Sequence, residues 1–295
     1  MHDASGAAYI CVTCGVQQEP SQARPQRCLI CEDERQYVRQ GGQQWTTLRD
    51  LRATGHRIVL RDLEPDLTGV GIEPSFGIGQ RALLLRTPRG NFLWDCIGYI
   101  DDAAVSAIRT RGGVAGIAMS HPHFYGVMAE WSAAFGDCPI YIPSADREWV
   151  QRGSPTIVEW AGVREVLPGV TLIQTGGHFE GSAALHWAQG ASGSGALLVG
   201  DTITVVPDVR AVSFMRSYPN LIPLPASEIR RIVASVRPYK FDRIYGGWWD
   251  RVTASDGHGA IARSARRYLK WIGAPTEMSE TAKSAGEGGF EPPIV

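Results

Sequence analysis

The sequence predicts an α/β protein in which two β-sheets pack face to face with helices outside, preceded by a small four-cysteine segment. Residues 9–37 contain two CxxC pairs, which indicate the separate segment. From about residue 56, short apolar runs divided by turns alternate with helical patterns, and strands dominate the middle of the chain. That alternation is typical of two packed sheets covered by helices. A hydrophobic fraction of 44% with 20% charged residues supplies enough core for such a fold.

Local patterns place the individual strands and helices. The runs RALLLR at 81–86 and FLWDC at 92–96 flank Thr-Pro-Arg-Gly-Asn, which favours a hairpin turn. Asp101 is expected to cap a helix that ends at the pair Gly112-Gly113. The other predicted strands are 114–119, 139–142, 156–160, 170–175, 183–188, 195–200 and 241–245. The other predicted helices are 46–53, 127–135, a short one that begins at Ser144, one that begins at Pro225-Ala-Ser227 and one over 261–272.

Charge and cysteine usage restrict the function classes. Lys and Arg number 29 against 30 Asp and Glu, so the net charge of −1 predicts no attraction to nucleic acid or membrane surfaces. Residues 1–10 lack the basic and apolar regions of a signal peptide, and no window is apolar enough to span a membrane. The CxxC pairs indicate a reducing compartment, so we expect a cytoplasmic protein. Its expected partner is a small-molecule substrate. The nine tryptophans and the cysteine segment make a homodimer a further expectation.

The four-cysteine segment is predicted to bind a metal ion over residues 1–40. Cys11-Val-Thr-Cys14 and Cys28-Leu-Ile-Cys31 are separated by 13 residues. Each CxxC turn presents two thiolates, and two such turns complete a tetrahedral all-sulfur site. So small a segment has little core, so the metal must supply its folding energy. We expect a zinc ribbon; a rubredoxin-like iron site is the alternative, although Leu29 stands where such sites usually carry proline.

Three later segments place potential metal ligands at strand ends. His121 and His123 in Ser-His-Pro-His follow one predicted strand, His178 in Gly-Gly-His-Phe-Glu-Gly-Ser follows a second, and Asp201 follows a third. Imidazole is the commonest ligand of catalytic zinc, and loops at strand ends carry function. The sequence therefore predicts that these four side chains meet around one metal ion.

These segments together resemble the metallo-β-lactamase superfamily, and the match spans most of residues 56–272. That family has an Asp after a strand, then HxHxDH, GHxxGS, a GD after a strand and a final His. The corresponding residues here are Asp95, His121 with His123, His178 and Asp201. The resemblance implies an αββα sandwich over residues 41–273. It also implies that Asp95 orients a ligand histidine. The HPHFY and WTTL segments further resemble a bacterial subgroup of such proteins.

Two departures from the family pattern predict a mononuclear site. Tyr125-Gly126 replaces the DH of HxHxDH, and Trp248-Trp249 stands where the final His is expected. Whether Asp250 or His258 substitutes as a ligand of a second ion stays open. Tyr125 would donate a hydrogen bond to a developing oxyanion, or would simply fill the space of the second ion.

Three functions fit this site. The first is a metal-dependent hydrolase of a small ester, thioester, lactone or similar activated carbonyl, with zinc on the three histidines and Asp201 positioning the attacking water. The second is a mononuclear non-haem iron oxygenase, resembling persulfide dioxygenases, with His121, His178 and Asp201 as a two-His-one-carboxylate triad. The third is a binding protein whose degenerate site does no chemistry.

An aromatic and apolar set of side chains is expected to line the substrate pocket. Its members lie beside the histidine loop, in the Pro-rich connection after Asp201 and after the last predicted strand: Phe124, Trp131, Phe214, Met215, Tyr218, Trp248 and Trp249. They suggest a neutral or partly aromatic substrate. Residues 274–295 are small, polar and Gly/Pro-bearing, and we expect a disordered tail there.

Overall fold

The computed structural model describes residues 6–278, which begin with the four-cysteine segment. Strand β1 (Ile10–Cys11) pairs with β2 (Trp45–Thr46) in an antiparallel ribbon, and Cys31 lies in the one-turn helix α1 (Leu29–Glu32). Helix α2 (Leu48–Ala53) follows, with the Thr47 side chain as its cap. Because β2 lies after residue 40, the cysteine segment is hydrogen-bonded to chain beyond its predicted boundary. The predicted tail from residue 279 onward lies outside the described residues.

The first large sheet has seven strands whose spatial order is also their chain order. The first four pair antiparallel and the last three join in parallel. The carboxyl ends of the parallel strands therefore meet at one edge of the sheet. The strands are β3 (Arg57–Glu64), β4 (Leu67–Glu73), β5 (Ala82–Leu85), β6 (Phe92–Trp94), β7 (Gly116–Ala118), β8 (Ile140–Pro143) and β9 (Ile157–Trp160).

The second large sheet has six strands in the order β10-β11-β12-β13-β18-β19. Its strands pair antiparallel except β13 with β18. Two short hairpins lie between β13 and β18 in the chain: β14 (Thr204–Val205) with β15 (Val212–Ser213), and β16 (Met215–Ser217) with β17 (Ile222–Pro223). The sheet consists of β10 (Val163–Leu167), β11 (Val170–Gln174), β12 (Ala183–Trp187), β13 (Ala196–Val199), β18 (Arg243–Tyr245) and β19 (Val252–Thr253).

Alternating side chains give the sandwich three apolar layers. In β5, Leu83 and Leu85 face the second sheet, while Ala82 and Leu84 face the opposite side, as the two-residue period of a strand requires. The outer face of the first sheet is covered by the cysteine segment and by α3 (Asp102–Thr110) and α4 (Met128–Ala134). The outer face of the second sheet is covered by α5 (Ala226–Val236) and α6 (Gly257–Trp271). The predicted αββα class is confirmed.

The main differences from the predicted elements have local causes. Strand β3 is absent from the predicted strands. It is partly exposed along its whole length, so it lacks the clean apolar alternation by which strands are recognised. Helix α6 begins at Gly257, four residues before the predicted start, because Gly257 and Gly259 are poor helix formers and conceal its first turn. Within residues 6–278, no helix is long and apolar enough to cross a membrane.

Candidate metal centre and its cleft

Four side chains from three strand ends converge at one edge of the sandwich. His121 directly precedes a short 3₁₀ turn after β7, and His123 lies in that turn. His178 follows β11, and Asp201 follows β13. All four are buried, and their ligand atoms lie within 4.8 Å of one another. The structure thus brings together the four ligands that the sequence predicts for the active site.

Hydrogen bonds on the outer side of two imidazoles determine which nitrogen faces inward. His178 Nδ1 lies 3.1 Å from the carbonyl oxygen of Met215, which can only accept, so Nδ1 carries the hydrogen and Nε2 keeps its lone pair. His121 Nδ1 lies 2.9 Å from Ser120 Oγ, while its buried Nε2 has no partner. The Oδ1 atom of Asp201 is also buried and unpartnered. Such orphaned atoms are costly in a protein interior unless an ion satisfies them.

The distances between the inward atoms fit one tetrahedral ion. Asp201 Oδ2 lies 3.4 Å from His121 Nε2, 3.7 Å from His178 Nε2 and 4.0 Å from His123 Nδ1. His178 Nε2 and His123 Nδ1 are 3.3 Å apart. Ligands about 2.0–2.1 Å from a tetrahedral ion lie about 3.3–3.4 Å from one another. The donor set therefore fits zinc with only small inward movements, through Nε2, Nδ1 and Nε2 of the three histidines.

Burial keeps the imidazoles in the form that binds metal. It lowers the pKa of His123 to about 4, and it lowers the pKa of His178 well below its usual value, aided by the charge of His121. Burial opposes ionisation of Asp201, but electrostatic interaction with the nearby imidazoles, above all that of His121, outweighs it and lowers the pKa of that carboxyl. At neutral pH His123 and His178 are therefore neutral imidazoles and Asp201 is a carboxylate, as metal binding requires.

Asp95 supports the cluster through Ser120. The backbone of Asp95 is left-handed, with φ of 63°, and its Oδ1 accepts a 2.7 Å hydrogen bond from the Ser120 N–H. Ser120 Oγ in turn contacts His121. Burial raises the pKa of Asp95 to about 8. A Cβ at Gly200 would lie 2.2 Å from Ser120 Oγ, so the glycine before Asp201 makes room for this chain of contacts.

The four cysteines form a second cluster. Cys11, Cys14, Cys28 and Cys31 are buried and unbridged, with sulfur atoms 3.5 Å apart between Cys11 and Cys31 and 3.7 Å apart between Cys14 and Cys28. Tetrahedral zinc at about 2.3 Å from each sulfur places the sulfurs about 3.8 Å apart. Hydrogen bonds from the other three thiols lower the pKa of Cys11, whereas burial raises the pKa of Cys14 and the hydrogen bond with Cys11 raises that of Cys31. Gln43 Nε2 also donates to Cys11 Sγ at 3.1 Å, so Cys11 is the thiol best placed to hold negative charge.

A cleft of about 620 Å³ opens beside His123 and Asp201. Tyr218 and Trp248 of the predicted pocket set lie on its walls. The Tyr218 hydroxyl donates to the Asp201 carbonyl oxygen at 3.0 Å, and Trp248 Nε1 donates to the Ile78 carbonyl oxygen at 3.2 Å. The other lining residues are Gln36, Tyr37, Gly77, Ile78, Thr204, Val205, Val206, Pro207, Pro219, Asp250 and Arg251.

The other predicted pocket residues lie elsewhere. Phe124 is fully buried, with its ring 4.6 Å from that of His121, so it supports a ligand from behind. Phe214 belongs to the core between the second sheet and its helices. Trp249 covers the glycines of β4, at positions 69 and 71, under the guanidinium of Arg61. Direction of the side chain, which a sequence does not show, separates these residues from the cleft.

Comparison with known proteins identifies the relatives of this chain. No protein-family model matches it. It is 47% identical over 264 residues to the uncharacterized protein YmaE of Bacillus subtilis (strain 168). The aligned region covers 89% of this chain and 96% of that protein. The chain belongs to the YmaE family.

Solved structures show the fold of this YmaE-family protein. The DIM-1 metallo-β-lactamase superposes with a TM-score of 0.55 and 10% identity, covering 73% of this chain and 98% of that chain. The structure of VMB-1 gives a TM-score of 0.56 and 13% identity over the same shares. A B3 metallo-β-lactamase with an active-site glutamic acid gives 0.51 and 13%, covering 77% and 94%. The metallo-β-lactamase fold predicted from the sequence is confirmed.

In the YmaE-family chain, the backbone at Gly126 leaves no room for a side chain. Gly126, where the superfamily pattern has its second-site histidine, has φ of 48°, and a Cβ there would lie 2.3 Å from the Ile97 carbonyl oxygen. Its own carbonyl oxygen accepts a 3.0 Å hydrogen bond from Gln17 of the cysteine segment. The cysteine segment therefore docks directly against Gly126, and no histidine side chain fits at this position.

The two substitutes considered for a second ion do not join the cluster. Asp250 lines the cleft but is largely exposed and paired with Arg251. His258 stacks on Phe241, 4.0 Å between ring centres, and its Nε2 bonds the Tyr239 carbonyl oxygen at 2.6 Å. It lines a separate cavity between α5 and α6.

Tyr125, the predicted oxyanion donor, points away from the cleft. Its hydroxyl lies 3.4 Å from the Asp146 carbonyl oxygen within the core below the first sheet. We expect Tyr125→Phe to change kcat/KM by less than about threefold and to destabilise the fold by about 1 kcal/mol, since one weak hydrogen bond is lost. Steady-state kinetics with thermal unfolding would check this. A fall of about 100-fold in kcat with an unchanged melting temperature would return Tyr125 to the catalytic set.

Ser120 directly precedes His121, but no motif in the sequence marks it as a functional residue. We expect Ser120→Ala to weaken active-site metal affinity by about 10–100-fold, because His121 loses the partner that orients its ring. Competition with a chromophoric chelator would measure the change. Ser120→Thr keeps the hydroxyl and serves as the matched variant, although its added methyl must fit near Gly200. Equal affinity in Ser120→Ala and the wild type would contradict the positioning role.

Proposed function

We propose that the chain is a metal-dependent hydrolase of a small ester, thioester, lactone or similarly activated carbonyl compound. The supporting observation is the convergence of three imidazoles and one carboxylate, with orphaned inward atoms, at the floor of an open cleft. His121, His123 and His178 would hold zinc with Asp201 Oδ2 as a further ligand, and the site would become five-coordinate on binding water. When bound, the ion supplies Lewis acidity and an activated water for attack on a carbonyl carbon.

The remaining groups of the site assist that reaction in stated ways. Asp201 Oδ1 has no protein partner and is therefore an acceptor available to orient a water beside the ion. Val205, Val206 and Trp248 give the cleft an apolar side that excludes water from a bound acyl group. The single cation of the lining, Arg251, is paired with Asp250, so the walls favour a neutral substrate.

Iron is the second candidate, and one observation favours it. Asp201 Oδ2 lies nearer to His121 and His178 than to His123, as a two-His-one-carboxylate face would require. The 3.3 Å contact of His123 with His178 favours the four-ligand zinc arrangement.

Metal analysis combined with turnover tests the proposal. Protein purified without added metal is analysed by mass spectrometry for zinc and iron per chain, then assayed with esters, thioesters, lactones and phosphoesters. We expect about two zinc ions per chain, one for each cluster, and hydrolysis of at least one carbonyl substrate that chelation abolishes and zinc restores. Iron with visible absorption would support oxygen chemistry instead. Full zinc with no turnover across the panel would support a binding protein.

A further inference from the structure

We propose that the cysteine segment builds one wall of the active site and that the Gln36 carboxamide binds an amide or hydroxyl group of the substrate. This inference rests on the proposed hydrolase function and deepens it. Gln36 and Tyr37 line the same cleft as His123 and Asp201, although they belong to the segment that carries the four-cysteine cluster. The segment is therefore part of the substrate site as well as a cover on the first sheet.

The Gln36 side chain is the unusual feature of this wall. Gln36 is only 5% exposed, and its Oε1 is buried without any hydrogen-bond partner. A buried acceptor left unpaired costs about 1–3 kcal/mol, which a ligand that donates a hydrogen bond to it recovers. Such a group, held at the wall of a reaction cleft, is a natural recognition element.

The backbone around Gln36 is fixed from both sides. Its N–H donates to the Asp33 carbonyl oxygen at 3.0 Å, closing a tight turn. Asn220 Nδ2 donates to the carbonyl oxygens of Gln36 and Glu34, at 3.0 and 2.8 Å. Asn220 lies in the turn between β16 and β17, and Tyr218 of the same turn bonds the Asp201 carbonyl oxygen. One turn thus holds both the Gln36 backbone and a predicted metal ligand.

Arg35 gives a second connection to the metal centre. Its guanidinium lies 3.8 Å above the Phe179 ring and donates to the His178 carbonyl oxygen at 3.3 Å, while Asp33 neutralises its charge. Arg35 is 6% exposed, so these contacts are shielded from water. The cysteine segment is therefore held in register with His178, and Gln36 is preorganised relative to the ion site rather than attached through a loose loop.

The chemistry of the wall indicates the substrate class. A carboxamide offers one acceptor and two donors, which complement the donor and acceptor of an amide or hydroxyl group. The neighbouring walls are mainly apolar, and the charges of Asp250 and Arg251 offset each other in an ion pair. We infer an uncharged acyl compound that carries an amide or hydroxyl group a few bonds from the carbonyl that reacts.

Paired substrates test this assignment. The 4-nitrophenyl ester of N-acetylglycine carries such an amide, and 4-nitrophenyl pentanoate has a similar length without it. We expect Gln36→Leu to lower kcat/KM for the amide-bearing ester by about 10–100-fold, mainly through KM, and for the pentanoate by less than about threefold. The ratio of the two effects cancels the intrinsic reactivity of each ester. Gln26→Leu, an exposed position of the same segment, is the matched control and should change neither.

Two further measurements distinguish recognition from structure. Gln36→Leu should keep both metals and melt at or above the wild-type temperature, because it removes a buried, unpaired carbonyl oxygen. A lower melting temperature with equal loss on both esters would overturn the proposal. Calorimetric binding of the products, N-acetylglycine and pentanoate, needs no turnover. If neither ester is hydrolysed but N-acetylglycine binding depends on Gln36, the hydrolase function fails while the recognition role stands. Binding that is equal for both products and unaffected by the variant contradicts the role.

Discussion

Replacing His178 by alanine is expected to remove one metal ion per chain and to lower turnover by at least about 10³-fold, equivalent to about 4 kcal/mol of transition-state stabilisation. His178 Nε2 faces His123 Nδ1 and Asp201 Oδ2, and its Nδ1 is held by the Met215 carbonyl oxygen, so it is a preorganised ligand. The loss of one of four ligands leaves the other inward atoms unable to complete the coordination of the ion. Metal content by mass spectrometry and single-turnover assays would measure both effects.

His258→Ala is the matched control for this variant. His258 lies in the first turn of α6 and lines the cavity between α5 and α6, where its Nε2 bonds the Tyr239 carbonyl oxygen. It should retain both metals and wild-type activity. Loss of both metals in His178→Ala would show that the two sites are not independent. Retention of both would show that His178 is not a ligand, and loss of a metal in His258→Ala would make that residue one.

Replacing Cys14 by serine is expected to empty the four-cysteine site and to destabilise the protein by more than about 4 kcal/mol, or about 10 °C or more in melting temperature. Cys14 is fully buried within the core that also contains Ile97 and Tyr99 of the main domain. A serine hydroxyl is a poor ligand for a soft metal, and three uncompensated cysteines would remain in an apolar layer. Thermal unfolding and metal analysis would measure the change.

Cys138→Ser separates the metal effect from the loss of a buried thiol. Cys138 is 6% exposed and belongs to the same apolar layer, but it lies outside the cysteine cluster. It should keep both metals and lose only about 1–2 kcal/mol, the cost of burying a hydroxyl in place of a thiol. A Cys14→Ser protein that keeps two metals and melts within about 2 °C of Cys138→Ser would contradict a structural metal at this site.

The Cys14→Ser variant also reports on the active site. Because Arg35 and Gln36 belong to the cysteine segment, loss of the ribbon metal should disturb the cleft wall before it disturbs the histidine cluster. Weaker substrate binding with the active-site ion retained is therefore the expected residual behaviour of any Cys14→Ser protein that stays folded.

The sequence alone determined the metal-binding chemistry of this protein and the class of its fold. Two CxxC pairs at short spacing and three ligand segments directly after apolar strands are local signals, because the residue type and its place at a strand end both appear in the chain. The strands β5 to β8 and the helix from Asp101 were predictable for the same reason, since each carries its own period or cap.

Only the tertiary structure decided which side chains surround the substrate. Tyr125, Phe214 and Trp249 carry the residue types of a binding site, but packing turns them into the core or against β4. Gln36 shows the reverse case, since nothing in its neighbourhood in the sequence marks it as part of a cleft. Its place in the cleft follows from its contact with Asn220, far along the chain. The direction of a side chain and the docking of distant segments are set by the whole packed core rather than by any local pattern.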